Sequence, residues 1–200
     1  MAQIISKEEL EKLMKIKGEI RGVALKEVER FVREKEGEEG LKKLEKTMAE
    51  LGYPIKYNEI KSMGFYKLSL KAILLITVKR LFNYSDEKFQ EMGKFETKSS
   101  PMALRLFARY FISLDTAVKA VQKMWRVYYS TGILKVIELN KKEKYAILRL
   151  EDFRLIPPHC ENLKGYFSGV LEMIIKQDVT CEETKCVYKG DKYHEFLMKW

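Results

Sequence analysis

At Gly132 the hydrophobic period of this 200-residue chain changes, and no other feature constrains its fold as strongly. Ile133, Lys135, Ile137 and Leu139 alternate with Leu134, Val136 and Glu138. The polar run Asn140-Lys141-Lys142-Glu143 then turns the chain into Tyr145–Leu150, which completes a β-hairpin. Pro157-Pro158 closes the strand region. Leu163, Tyr166, Phe167, Val170, Leu171 and Ile174 recur at helical spacing, and residues 179–200 read as a second hairpin turning at Lys189-Gly190-Asp191. A helix between two hairpins packs most economically on one four-stranded antiparallel sheet.

Before Gly132 the period is helical. Leu25, Val28, Phe31 and Val32 share a face, as do Leu41, Leu44, Met48 and Leu51, with Gly37 and Gly40 at the joint between the two helices. Ser6 with Glu9 makes a capping box for an earlier helix over 6–17. Its apolar residues Ile5, Leu10, Leu13 and Ile16 suggest an accessory or dimerisation helix within residues 1–20. Leu68–Phe82 is apolar almost all round and should be central. Ser85 caps a short helix through Phe89 and Met92, Ser100-Pro101 launches another, and a last one runs from about Asp115 to Tyr128. The expectation is an α+β fold, a helical N-terminal part packed with a C-terminal four-stranded antiparallel sheet in hairpin–helix–hairpin order, as one domain over 1–200.

Several functional classes are disfavoured. The start has no signal-peptide pattern, and the apolar stretch 68–78 falls short of the ~20 residues of a membrane span, so a cytoplasmic protein without membrane insertion is expected. The net charge of +9 concentrates in residues 101–150, where Arg105, Arg109, Lys119, Lys123, Arg126, Lys135, Lys141, Lys142, Lys144 and Arg149 face three acidic residues. No nucleic-acid-binding motif accompanies that cluster, so nucleic acid is not the expected partner. No phosphate loop, catalytic triad or Cys/His pair with supporting spacing is present, and an enzyme is not expected.

The three cysteines all lie after residue 159, an arrangement foreign to a secreted disulfide framework. With the second hairpin centred on Gly190, Cys186 and His194 stand opposite each other, close enough to share a metal. Cys160 opens the preceding helix, where a thiolate is favoured. Glu183 completes the set only if a bulge lies between it and Cys186, since a regular strand would turn them to opposite faces; Glu182 or Cys181 could take its place. Two Cys, one His and one carboxylate leave no open position, the pattern of structural zinc.

The run Cys160-x4-Gly165-Tyr166, followed by Glu183-x2-Cys186-x3-Gly190-Asp191-x2-His194-x-Phe196, resembles the signature of the 4-vinyl reductase domain family. That family includes the sensory domains of phenol- and xylene-responsive activators. Its motif carries Cys in place of His194, and its Cys, Glu, Cys and Cys bind zinc. The resemblance therefore implies a zinc site at Cys160, Glu183, Cys186 and His194. Arg21-Gly22 before a helix, then Gly37-Glu38-Glu39-Gly40, is similar to the wider superfamily that joins 4-vinyl reductase domains, haem nitric-oxide-binding domains and TRAPP subunits.

Haem is not expected. Residues 115–129 hold no histidine, the Tyr-x-Ser-x-Arg grip on the propionates is missing, and His159 beside Pro158 reads as a cap or surface residue. The resemblance implies a small-molecule sensory or regulatory domain that encloses an apolar ligand. Phe107, Phe111, Trp125, Tyr128, Tyr166 and Phe167 are the candidate lining. With the chain stopping at Trp200, output is expected through a homodimer or a protein partner. The alternative is a TRAPP-like scaffold whose aromatic interior is plain core.

Overall fold

The computed structural model describes residues 4–99 and 113–200. Helix α1 (Lys7–Met14) starts at the Ser6 cap, whose hydroxyl accepts the Glu9 N–H at 3.2 Å. Strand β1 (Glu19–Arg21) leads into α2 (Gly22–Glu50), which is broken at Gly37. There φ is 71°, a conformation that glycine alone adopts without strain. Strand β2 (Phe65–Lys67) pairs antiparallel with β1, then α3 (Leu68–Leu81) and α4 (Asp86–Ser99) follow. After α5 (Leu114–Tyr128) come β3 (Ile133–Asn140), β4 (Tyr145–Glu151), α6 (Pro157–Ile175), β5 (Thr180–Lys185) and β6 (His194–Lys199).

The hairpin–helix–hairpin order builds the expected four-stranded antiparallel sheet, with strand order β3-β4-β6-β5. Leu134, Leu148, Leu150, Phe196 and Met198 face the core, while Lys135, Ile137 and Lys199 face outward, the period-2 division that a half-covered sheet imposes. α3 is central as its all-round apolarity predicts: Leu68, Ile73, Leu74, Leu75 and Val78 are buried. The two-stranded β1–β2 sheet is a feature that periodicity does not reveal, because three-residue strands are too short to show one.

α1 packs within the chain. Ile5 and Leu13 are buried, and Arg80 on α3 holds Glu9 through two bonds of 2.6 and 2.7 Å. The apolar face that suggests a dimer in the sequence is thus covered by the chain itself. α4 is longer than the short helix expected from Ser85, running on through Gly93 to Ser99. The Ser100-Pro101 helix start falls outside the described residues. Of the basic cluster in 101–150, Lys135, Lys141 and Arg149 are paired with Glu151, Asp115 and Glu195. No helix among the described residues is long and apolar enough to cross a membrane.

Candidate metal centre and ligand cavity

Cys160, Glu183, Cys186 and His194 come together, their donor atoms all within 4.8 Å of one another. Each owes its place to local geometry. Pro157 and Pro158 occupy the first turn of α6, where a missing N–H does no harm, and set Cys160 facing the sheet. Between Glu183 and Lys185 the β5–β6 register slips, so Glu183 pairs with Phe196 while Lys185 pairs with Glu195. That bulge at Thr184 turns Glu183 and Cys186 to the same face. A 3-10 turn (Val187–Lys189) ends at Gly190 with φ 98°, and the Asp191 carboxylate accepts the Cys186 N–H at 2.8 Å. The Gly-Asp of the motif is therefore the device that seats Cys186 opposite His194.

His194 Nδ1 lies 2.7 Å from Glu183 Oε1 and 3.8 Å from Cys160 Sγ. Cys160, Cys186 and His194 are buried, and the Glu183 side chain is 6% exposed. Burial first, then the neighbouring Glu183 and Cys186, push the Cys160 thiol far above its ordinary range; burial likewise raises Cys186. Three acidic groups crowded into a dry site repel one another as anions, and a divalent cation is what lets them ionise together. Ligand bonds of about 2.0–2.3 Å at tetrahedral angles put donor atoms roughly 3.3–3.8 Å apart, so the cluster fits zinc with small side-chain shifts. Glu182 pairs with Leu197 on the opposite face, and Cys181 pairs with Met198 farther along the sheet; neither joins the group.

A cavity of about 120 Å³ lies between α5, α6 and the sheet. Trp125, Tyr128, Tyr166 and Phe167 all line it, as the sequence suggests; Phe107 and Phe111 fall outside the described residues. Trp125 is fixed by its Nε1–H donating to the Thr131 carbonyl at 2.8 Å and by stacking on Tyr129 at 4.2 Å.

The polar end of this cavity is not foreseen from the sequence. Lys71, Glu96 and Asn162, all buried, line it beside Glu27. Lys71 Nζ donates to the Ala24 carbonyl at 3.0 Å and stands 3.7 Å from Glu96 Oε1, which also accepts from Asn162 Nδ2 at 3.2 Å. The signal is present in retrospect: a lysine in the middle of a helix apolar on every side can only be buried, and a buried lysine needs a partner. Burial raises the Glu96 carboxyl while Lys71 pulls it down. Lys71→Met leaves that carboxylate without its cation, and a loss of about 3–5 kcal/mol is expected at neutral pH. With Lys71 gone the folded-state carboxyl titrates above its unfolded value, so the loss shrinks as pH falls through the folded pKa. Urea denaturation at pH 5 and pH 8 checks both the size and the sign.

His159 corrects the sequence reading. It is a fully enclosed residue, neither a cap nor on the surface, with Nε2 3.1 Å from the Tyr129 hydroxyl and its imidazole held well below the ordinary range by burial.

With this geometry, the chain falls in the α+β class of the H-NOX domains. An H-NOX protein from S. oneidensis in the Fe(II)NO ligation state superposes with a TM-score of 0.67 at 15% identity, covering 90% of this chain and 98% of that one. An oxygen-binding H-NOX domain related to soluble guanylate cyclases gives 0.63 at 12% identity, over 90% and 94%. At these identities the likeness establishes the fold alone. More specifically, residues 156–199 match the 4-vinyl reductase domain, a window that holds all four clustered side chains. An uncharacterized protein of Methanocaldococcus jannaschii is 35% identical over 77 residues, 34% of this chain and 42% of that protein, so the chain spans less than half the length of that curated relative.

The described residues do not fit haem. α5 carries no histidine and neither histidine of the chain lines the cavity, since His159 engages Tyr129 and His194 belongs to the Cys/Glu cluster. Their side chains outline a space smaller than the roughly 300–1,000 Å³ of ordinary ligand pockets.

Proposed function

We propose that this protein is a non-catalytic sensory or regulatory domain that encloses an apolar small molecule other than haem and is braced by a structural zinc at Cys160, Glu183, Cys186 and His194. One observation carries the reading: aliphatic and aromatic side chains of α5, α6 and the sheet surround a cavity instead of closing on one another. Packed cores leave few voids larger than a water molecule, so a cavity kept open at this size speaks for an occupant. The same observation weighs against the scaffold alternative, which needs only a solid core. A cytoplasmic setting and a downstream protein partner complete the proposal. A homodimer through α1 no longer has support, because that face is spent within the chain.

Ala117 on α5 lines the cavity, so Ala117→Trp places an indole where a ligand would sit. The expected result is a melting temperature within a few degrees of the parent and loss of the stabilisation that apolar ligands give the parent in a thermal-shift screen. Equal ligand responses in parent and variant would move the binding site elsewhere. Haem reconstitution provides a second check: no Soret band shift characteristic of a protein-ligated haem is expected on titration.

A further inference from the structure

The cavity has a direction. α5 and α6 run antiparallel along it. At one end Tyr129 meets His159 at 3.1 Å, and at the other Asp115 on α5 pairs with Lys141 beyond β3 at 2.7 Å. On α6 the lining extends from Asn162 to Ile174, about 18 Å at the helical rise of 1.5 Å per residue. Leu139, Ala146 and Met198, a single row across the sheet, line the end near Lys141.

Its polar groups sit at the other end. Lys71 and Glu96 are buried there, whereas Leu114, Leu139 and Ile174 at the outer end are half-buried and carry no polar side-chain atom. An elongated apolar channel with one ammonium and one carboxylate at its closed end selects a ligand by length and by head group.

We propose that the cavity takes an unbranched aliphatic alcohol of about twelve carbons, its hydroxyl between Lys71 and Glu96 and its chain lying along α6. This rests on the ligand-binding reading above and names the class of molecule. A hydroxyl accepts from the ammonium and donates to the carboxylate at once, so both buried groups gain a bond and no new charge enters. A carboxylate head would face Glu96 and Glu27 together, and an ammonium head would face Lys71. A zigzag chain advances about 1.2 Å per bond, so roughly twelve carbons plus the end radii span the channel. A compact aromatic alcohol would reach only the inner third and leave Val170 and Ile174 without contacts.

The experiment is isothermal titration of the full chain with straight-chain 1-alkanols from butanol to dodecanol, together with phenol, decanoate and decylamine. Affinity is expected to rise about fourfold per added methylene from hexanol to decanol, with phenol weaker than octanol. Ala117→Trp should abolish binding of every alkanol, which separates cavity binding from nonspecific partition. Ile174→Trp at the outer end should shift the preferred length to shorter alcohols while leaving butanol unchanged. A series flat in chain length, or phenol binding tighter than decanol, overturns this inference and leaves the cavity as a ligand site of another class. Decanoate or decylamine binding tighter than decanol overturns the head-group assignment. Saturable binding by none of the probes overturns this inference and the ligand-binding reading together.

Discussion

Cys186→Ala is expected to strip the protein of its zinc and lower its melting temperature by about 10 °C. The magnitude follows from what the substitution leaves behind. Cys160, Glu183 and His194 remain crowded and buried at one corner where α6, β5 and β6 meet, with three ligands and no closed shell. Metal binding in such sites is coupled to folding, because the unfolded chain holds no preformed site. Here the rest of the molecule has its own core, so the loss is limited to the corner: roughly 3–4 kcal/mol, at about 2–4 °C per kcal/mol for a chain of this size. Elemental analysis of protein purified without a metal-affinity step should give one zinc per chain in the parent and none in the variant. Glu182→Gln and Cys181→Ser, neighbours on the same strand whose side chains stay out of the cluster, should keep the metal. A parent without zinc, or a variant that keeps both its zinc and its melting temperature, would return the two buried cysteines to the role of small core residues. Cys160→Ser offers a second reading of the same site from α6, should the Cys186 variant fail to accumulate.

The sequence carries the metal centre more fully than the cavity, for a physical reason. Three of the four clustered side chains lie within a single hairpin, where strand pairing is local and a turn at Gly190 sets the register. Even the bulge at Thr184 is demanded in advance, since without it Glu183 and Cys186 cannot share a face. The polar end of the cavity is different. Lys71, Glu96 and Asn162 stand on three helices, and their meeting depends on how α3, α4 and α6 cross, which no local pattern encodes. His159 fails for the same cause: its burial comes from Tyr129 and Phe153, on other elements, closing over the start of α6. Gly93 misleads in the opposite direction. A glycine weakens a helix by propensity, which argues for a short α4, yet the helix runs through it because tertiary contact decides.

What that contact requires leads to the second large effect, expected for Gly165→Ala. At Gly165 a Cβ would stand 1.9 Å from the backbone oxygen of Gln90 on α4, and at Gly93 one would stand 2.0 Å from the backbone oxygen of Asn162 on α6. The two helices therefore touch backbone to backbone, each through a glycine of its own. A flexible side chain could swing away from such an intruder, but a helical carbonyl cannot, so the axes must part by more than 1 Å. Parting them also loosens the bonds that span the crossing: Gln90 to Glu161 at 2.8 Å, Lys94 to Glu172 at 2.6 Å, and Asn162 to Glu96 at 3.2 Å. A loss of about 3–5 kcal/mol is expected, well above the half to one kcal/mol that helix propensity alone would return in favour of alanine. Gly52→Ala is the control, a position with φ 85° and nothing near its Cβ, where only local backbone strain of about 1–2 kcal/mol applies. Thermal denaturation of the two variants separates the causes. A Gly165→Ala protein that melts no lower than Gly52→Ala would mean that α4 and α6 slide apart at little cost. A fall of about 10 °C with zinc retained would place the loss in the crossing that holds Glu96 against Asn162, and with it the closed end of the cavity.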